Sequence, residues 1–241
     1  MKRALPTCAR SPGFTLIELV VVMAILTLLA GMAVPAIQAI ADSERKEATE
    51  KEMEAIREAA LLYAEDTGSM PSNLDRLYAD PATAGWGGPY IDDMYGGNAV
   101  PGEGFRNDAW RQAYTWTVQG RIATLTSRGP NRVSNNGNGD DIRRQVDITP
   151  VLRATTKKRM DTVNTAITRY NAVNFPAQPL PGTSNALIAQ LQSQGYLPAG
   201  SKWFTDAFGA AWVPSPQPVV SVGSSNFGSG QTGPADGGRV R

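Results

Sequence analysis

The sequence predicts an α+β fold: a long amino-terminal helix packed on a small antiparallel sheet, followed by a second helix-plus-strand module. Three observations carry this prediction. A nearly uncharged stretch, Phe14 to Ala41, runs into an amphipathic pattern of Met53, Ile56, Ala60 and Tyr63, spaced as one helical face requires. Two runs rich in β-branched and aromatic residues, Tyr114–Val118 and Arg121–Thr126, flank Gln119-Gly120 and read as a two-residue hairpin. The helical spacing then recurs at Met160, Val163, Ile167 and Tyr170, with Met and Tyr at the same two ends.

The first thirteen residues carry Lys2, Arg3 and Arg10 and no acid. From Phe14 to Ala41 the sole charge is Glu18. That stretch is long enough to span a bilayer as a helix, which takes about 20 apolar residues. Basic residues before it and mixed charges from Asp42 onward place the leader in the cytoplasm and the remainder outside it. An ordinary secretory signal would be cut after its apolar run, and Ala30-Gly31-Met32-Ala33 offers such a site as the alternative. Glu18 is the anomaly: a carboxylate in an apolar span is costly and marks a functional position, the alternative being a side chain that snorkels to water. Pro35 predicts a kink or local melting of the helix.

The helix is expected to end near Asp66, where Gly68 and Met70-Pro71 break the pattern. A short helix at Asn73–Tyr78 and a Gly/Pro-rich loop from Trp86 to Gly102 follow. In the second half, Asp206-Ala207-Phe208 echoes Asp108-Ala109-Trp110, and Ser221-x-Gly223 loosely echoes Ser127-x-Gly129. The shared order reads as tandem duplication, against the alternative of two unrelated helices with chance echoes. The expected organisation is a leader at 1–13, a spanning helix at 14–41, a first module at 42–142, a second at 143–222 and a Gly/Ser-rich tail at 223–241. Residues 142–153 would link the modules. Trp203, Phe204, Phe208 and Trp212 are expected to fill a small core, with a contact surface as the alternative.

Composition excludes several function classes. The chain contains no His, and its sole cysteine, Cys8, lies in the leader. The commonest general base and metal ligand are therefore missing, as are disulfides in a chain that begins at Phe14. Removing the three leader charges from a net of +1 leaves −2, so nothing argues for nucleic-acid binding. No phosphate loop or nucleophile elbow is present, so no enzyme is expected.

Gly13-Phe14-Thr15-Leu16-Ile17-Glu18 resembles the leader junction of type IV pilins and pseudopilins. That resemblance implies cleavage by the prepilin peptidase between Gly13 and Phe14, methylation of the new amino terminus at Phe14, and retention of the apolar helix. It also implies that Glu18 pairs with the amino terminus of a neighbouring subunit during assembly. A glycine at the junction lets the peptidase approach the backbone closely. The region from 13 to 142 resembles the major pseudopilin of the type II secretion system more particularly. Asp108-Ala109-Trp110-Arg111-Gln112-Ala113-Tyr114 matches that family's Asp-Pro-Trp-Gly-x-x-Tyr turn at Asp, Trp and Tyr, and departs from it at Pro and Gly. Ser127-Arg128-Gly129-Pro130-Asn131 leads through a Gly/Asn-rich stretch to Asp140-Asp141-Ile142, where the family binds calcium. By that match Asp140, Asp141 and Asn131 are the ligand candidates, oxygen donors of the kind calcium takes; a metal-free Asn-Gly turn is the alternative.

The resemblance implies a structural subunit of a filament that rises from the inner membrane and supports type II protein secretion. The implied partners are copies of itself or other pilins, the prepilin peptidase, the inner-membrane assembly platform and secreted cargo. The implied location is a single-pass inner-membrane anchor with periplasmic modules, or a cell-surface filament. Two other roles stay open: a minor or tip pilin of a type IV pilus, and a binding or adhesin module carried on a pilin anchor.

Overall fold

The computed structural model describes residues 15–80, 82–92 and 104–227, with the side chains at 30 and 32–36 outside the description. Gly13 and Phe14, the expected processing site, also lie outside the described residues. By its internal contacts the chain divides into residues 1–47 and residues 48–241.

The first unit contains the start of α1, which runs from Leu16 to Thr67. The helix continues through position 35, so proline does not end it there. Its large apolar side chains between Leu16 and Leu29 are each at least 48% exposed, so the isolated chain leaves them without an apolar partner. Among the described residues no helix is long and apolar enough to cross a membrane. The expected span at 14–41 includes Phe14 and side chains outside that set.

In the second unit, Met53, Ile56, Ala59, Ala60 and Tyr63 of α1 form one wall of a core. Burying such a stripe is what stabilises an amphipathic helix. The opposite wall is an antiparallel sheet of β1 (Thr115–Gln119), β2 (Ile122–Ser127) and β3 (Ile142–Asp147) in sequence order. Ala123, Leu125 and Val146 supply its buried face. The expected helix at 73–78 is a single 3-10 turn, Leu74–Leu77, capped by the Asn73 side chain. Gln119 pairs with Ile122, so the hairpin turns on Gly120-Arg121, one residue later than expected. Gly120 has φ 62°, a backbone that suits a glycine at the first central position of a hairpin turn.

β3 replaces the expected linker. Its exposed Arg143, Arg144 and Gln145 hide the strand from a hydrophobic pattern, and Val146 alone is fully buried. The chain then turns through Ile148 into α2 (Thr149–Asn174), followed by α3 (Ser184–Ser193) and a two-stranded pair, β4 (Val213–Pro214) with β5 (Val222–Gly223). Met160, Val163, Ile167 and Tyr170 of α2 pack with Leu187, Ile188 and Leu191 of α3 and with Trp203 and Trp212 in a second core. A third cluster, Ala64, Ile148, Leu152 and Ala207, joins residues of both modules.

The beginning of the expected tail is ordered into this fold. Gly223 is in β5, and Ser225–Phe227 form a 3-10 turn. The free edge of β5 is occupied by a side chain: the Asn164 amide donates to the Val222 carbonyl at 3.3 Å, and its oxygen accepts the Val222 N–H at 2.7 Å.

Candidate functional site

Three places hold the functional candidates: the start of α1, the loop before β3, and a repeated aspartate turn. At the start of α1, the Thr15 N–H and Thr15 hydroxyl both donate to Glu18 Oε2 at 2.9 Å. The Glu18 N–H returns a bond to Thr15 Oγ1 at 3.4 Å. This is a reciprocal capping box, in which Thr and Glu three residues apart satisfy each other's backbone donors at a helix start. The signal was legible as Thr15-x-x-Glu18. It gives Thr15 a capping role that sequence reasoning, which singled out Glu18 for assembly, had missed. Both donors go to Oε2, which leaves Oε1 as an acceptor for a further donor.

In the loop before β3, Asp140 and Asp141 are held by donors from the same loop. Asp140 accepts the Asn131 N–H at 2.9 Å, the Asn131 amide at 2.5 Å and the Asn135 amide at 3.0 Å. Asp141 Oδ2 accepts the Asn135 and Gly137 N–H groups, each at 2.8 Å. Asn131 thus meets Asp140 through its donors, while its own side-chain oxygen accepts the Val133 N–H at 2.6 Å. Gly129 is obligatory here: at φ 62° an added Cβ would stand 2.2 Å from the Asp140 carbonyl oxygen. Asp141 Oδ1 is buried and has no hydrogen-bond partner among the described residues. An orphaned carboxylate oxygen beside a second aspartate suits a hard cation that prefers oxygen ligands. Among the described residues no group of three or more Asp, Glu, His or Cys side chains converges, so any further ligands must be neutral oxygens.

The turn at Asp108 orders the first module. Its carboxylate accepts the Trp110 N–H at 3.0 Å, the Gln112 N–H at 2.9 Å and the Ser127 hydroxyl at 2.6 Å. Thr49 of α1 accepts the Ala109 N–H at 3.2 Å. The turn at Asp206 repeats each bond: Phe208 N–H at 2.9 Å, Ala210 N–H at 2.8 Å, the Ser224 hydroxyl at 2.5 Å, and Ala207 N–H to Thr156 of α2 at 3.0 Å. The counterpart of Ser127 in the second module is therefore Ser224, where the sequence echo suggested Ser221.

Comparison with known families places two adjoining matches on these elements. Residues 8–34 match the prokaryotic N-terminal methylation motif, and residues 36–145 match the type II secretion system protein G family. Over residues 8–145 the chain is a type IV pilin-like pseudopilin. The first match spans Gly13, Phe14, Thr15 and Glu18; the second spans the first module through β3. No curated protein and no solved structure matches the chain. The pseudopilin family is structural, and it implies processing by a prepilin peptidase and assembly with other pilins. Neither family match reaches α2 and the second core, so the pseudopilin carries that module beyond the matched part.

Proposed function

We propose that this pseudopilin polymerises through α1 into a periplasmic pseudopilus that supports type II secretion. The carrying observation is the start of α1. An apolar helical surface stands exposed from Leu16 to Leu29, and Glu18, inside it, is satisfied within its own chain by Thr15. In the membrane, the capping box lowers the cost of the Glu18 carboxylate while the subunit waits. On assembly, Glu18 exchanges Thr15 donors for the amino terminus of a neighbour, and the apolar residues repack against neighbouring helices. Such a heterologous contact propagates instead of closing. The inner-membrane assembly platform is the partner that extracts the subunit from the bilayer.

The test is replacement of Glu18 by Ala in cells. The expected outcome is a processed, membrane-inserted subunit that fails to incorporate into filaments; normal filaments would defeat the mechanism. The second module favours one other reading, a minor or tip subunit, because extra bulk must fit at every repeat of a helical lattice. Counting copies in purified filaments separates them: one or a few per filament would assign the tip.

Calcium belongs to the same proposal. Asp141 and Asp140 would hold it, with Asn131 as a third candidate, and the ion would fix the loop that leads into β3. The support is the orphaned Asp141 Oδ1.

A further inference from the structure

Glu52 and Arg159 stand at one matched position of the two modules and carry opposite charges. The same offset separates Thr49 from Thr156, Met53 from Met160, Tyr63 from Tyr170, and Glu52 from Arg159. In the first module Glu52 is buried and accepts the Tyr114 hydroxyl at 3.0 Å. In the second, the place of Tyr114 is taken by Trp212, whose indole N–H donates instead to the Trp203 carbonyl at 2.7 Å. Arg159 is left half-buried, and among the described residues no hydrogen bond or ion pair engages its guanidinium. Asp206 acts on it through space, but the Asp206 oxygens are already taken by Phe208, Ala210, Ser224 and Asn226.

Arg159 opens on a cavity of about 370 Å³ that Lys158, Lys202, Trp203, Glu65 and Asp66 also line. Trp203 is 9% exposed, and its buried Nε1–H finds no acceptor among the described residues. The exposed Lys202 chain lies over the indole ring, its Nζ 5.3 Å from the centroid, and can swing away. The cavity is therefore lined by an unengaged guanidinium and two further cations, which call for acceptor oxygens. Planar guanidinium groups take carboxylates in paired hydrogen bonds. Glu65 and Asp66, which also line the cavity, supply acceptors for N–H groups. A ligand with both a carboxylate and backbone amides matches this mixed lining, and the volume lies at the small end of ligand sites.

We propose that this cavity binds an acidic side chain presented by a short peptide segment of another protein, with Arg159 as the carboxylate clamp and Trp203 as its floor. The site adds a contact to the pseudopilin that is independent of α1 assembly.

The test uses the full-length chain in detergent micelles with ¹⁵N-labelled tryptophan. Its five indole signals are assigned by single Trp→Phe variants. A blocked peptide, acetyl-Ala-Glu-Ala-amide, is titrated at constant ionic strength, with acetyl-Ala-Gln-Ala-amide and succinate as comparison arms. The expected result is a saturable shift of the Trp203 signal with the Glu peptide, none with the Gln peptide, and at least a tenfold loss of affinity in Arg159→Gln. Arg159→Lys keeps the charge without the paired donors and should lose affinity as well. An unchanged Trp203 signal at saturating peptide would overturn the site. Equal response to the Glu and Gln peptides would overturn the carboxylate clamp, and succinate binding as tightly as the peptide would overturn the peptide as occupant. Unshifted indole signals of the other tryptophans in the unliganded Arg159 variants show that the fold is intact.

Discussion

Asp108 and Asp206 hold the same turn in the two modules. Each accepts the N–H groups two and four residues ahead, each takes a serine hydroxyl from a distant strand end, and each is followed by an alanine whose N–H reaches a threonine on the module's helix. The two carboxylates tie helix, turn and sheet together in one network apiece. Because these donors are buried, removing the acceptor leaves them unpaired, and unpaired buried donors cost more than the bonds themselves contribute.

Asp206→Ala is therefore expected to destabilise the second module by roughly 3 kcal/mol or more. Asp206 also takes the Asn226 amide at 2.7 Å, so the substitution should also release the 3-10 turn at 225–227. Thermal unfolding of the full chain followed by tryptophan fluorescence checks this. A melting temperature within a degree of the parent would contradict the network's role.

Arg111 and Gly209 stand at the same place in these turns, at φ 61° and 84°. A side chain in this left-handed region costs about 1–2 kcal/mol relative to glycine. Arg111→Gly should raise stability by roughly 0.5–1 kcal/mol once glycine's greater freedom in the unfolded chain is counted. Gly209→Ala should lower stability by a similar amount, and since no atom lies within 4 Å of an added Cβ, backbone strain is the whole cause. Chemical denaturation midpoints of the two variants, measured side by side, should move in opposite directions.

Two carboxylates in the first module respond to acid with opposite signs. The hydrogen bonds from Thr83 and Tyr63, helped by Arg76, hold Asp80 at about 2, below its ordinary value of 3.8. Its contribution is present above pH 3.8 and is lost as pH falls towards 2. Burial, aided by the nearby Asp108 charge and opposed by the Tyr114 hydroxyl, pushes Glu52 above its ordinary value of 4.5. Its contribution is complete below 4.5 and is lost as pH rises through the raised value. Asp80→Asn should flatten the acid limb of a stability–pH curve, while Glu52→Gln should raise stability at neutral pH. Urea unfolding across pH 2–8 would expose either sign as wrong.

Calcium should raise the melting temperature of the full chain. At a hundredfold excess over the dissociation constant the gain is about 2.7 kcal/mol. Asp141→Asn removes the charge beside the orphaned oxygen and should abolish the shift, while magnesium, which holds its own water more tightly, should substitute poorly. An unchanged melting temperature at millimolar calcium would count against the site.

Much of this architecture was legible because its signals are local. Met53-Ile56-Ala60-Tyr63 and Met160-Val163-Ile167-Tyr170 state the helical faces directly, and Gly120 marks the hairpin to within one residue. β3 was missed because Arg143, Arg144 and Gln145 face solvent, so the strand is defined by its pairing with β2 and not by its own pattern. The tail was misjudged for a related reason: Ser224 and Asn226 look like linker residues until Asp206, far away in sequence, gives them a partner.

The sequence by itself determined the amino-terminal methylation motif, the apolar stretch with its single acid, the fold class and the repeated turn, because each is written within a few residues. The tertiary structure decided what those residues meet. It paired Ser127 with Asp108 and Ser224 with Asp206, and it closed the β5 edge with Asn164. Among the described residues it also left Asp141 Oδ1 and the Arg159 guanidinium without partners. The physical reason is that hydrogen-bond satisfaction depends on groups far apart in the chain. A sequence lists the donors and acceptors, and only the fold brings them within reach or leaves one unanswered.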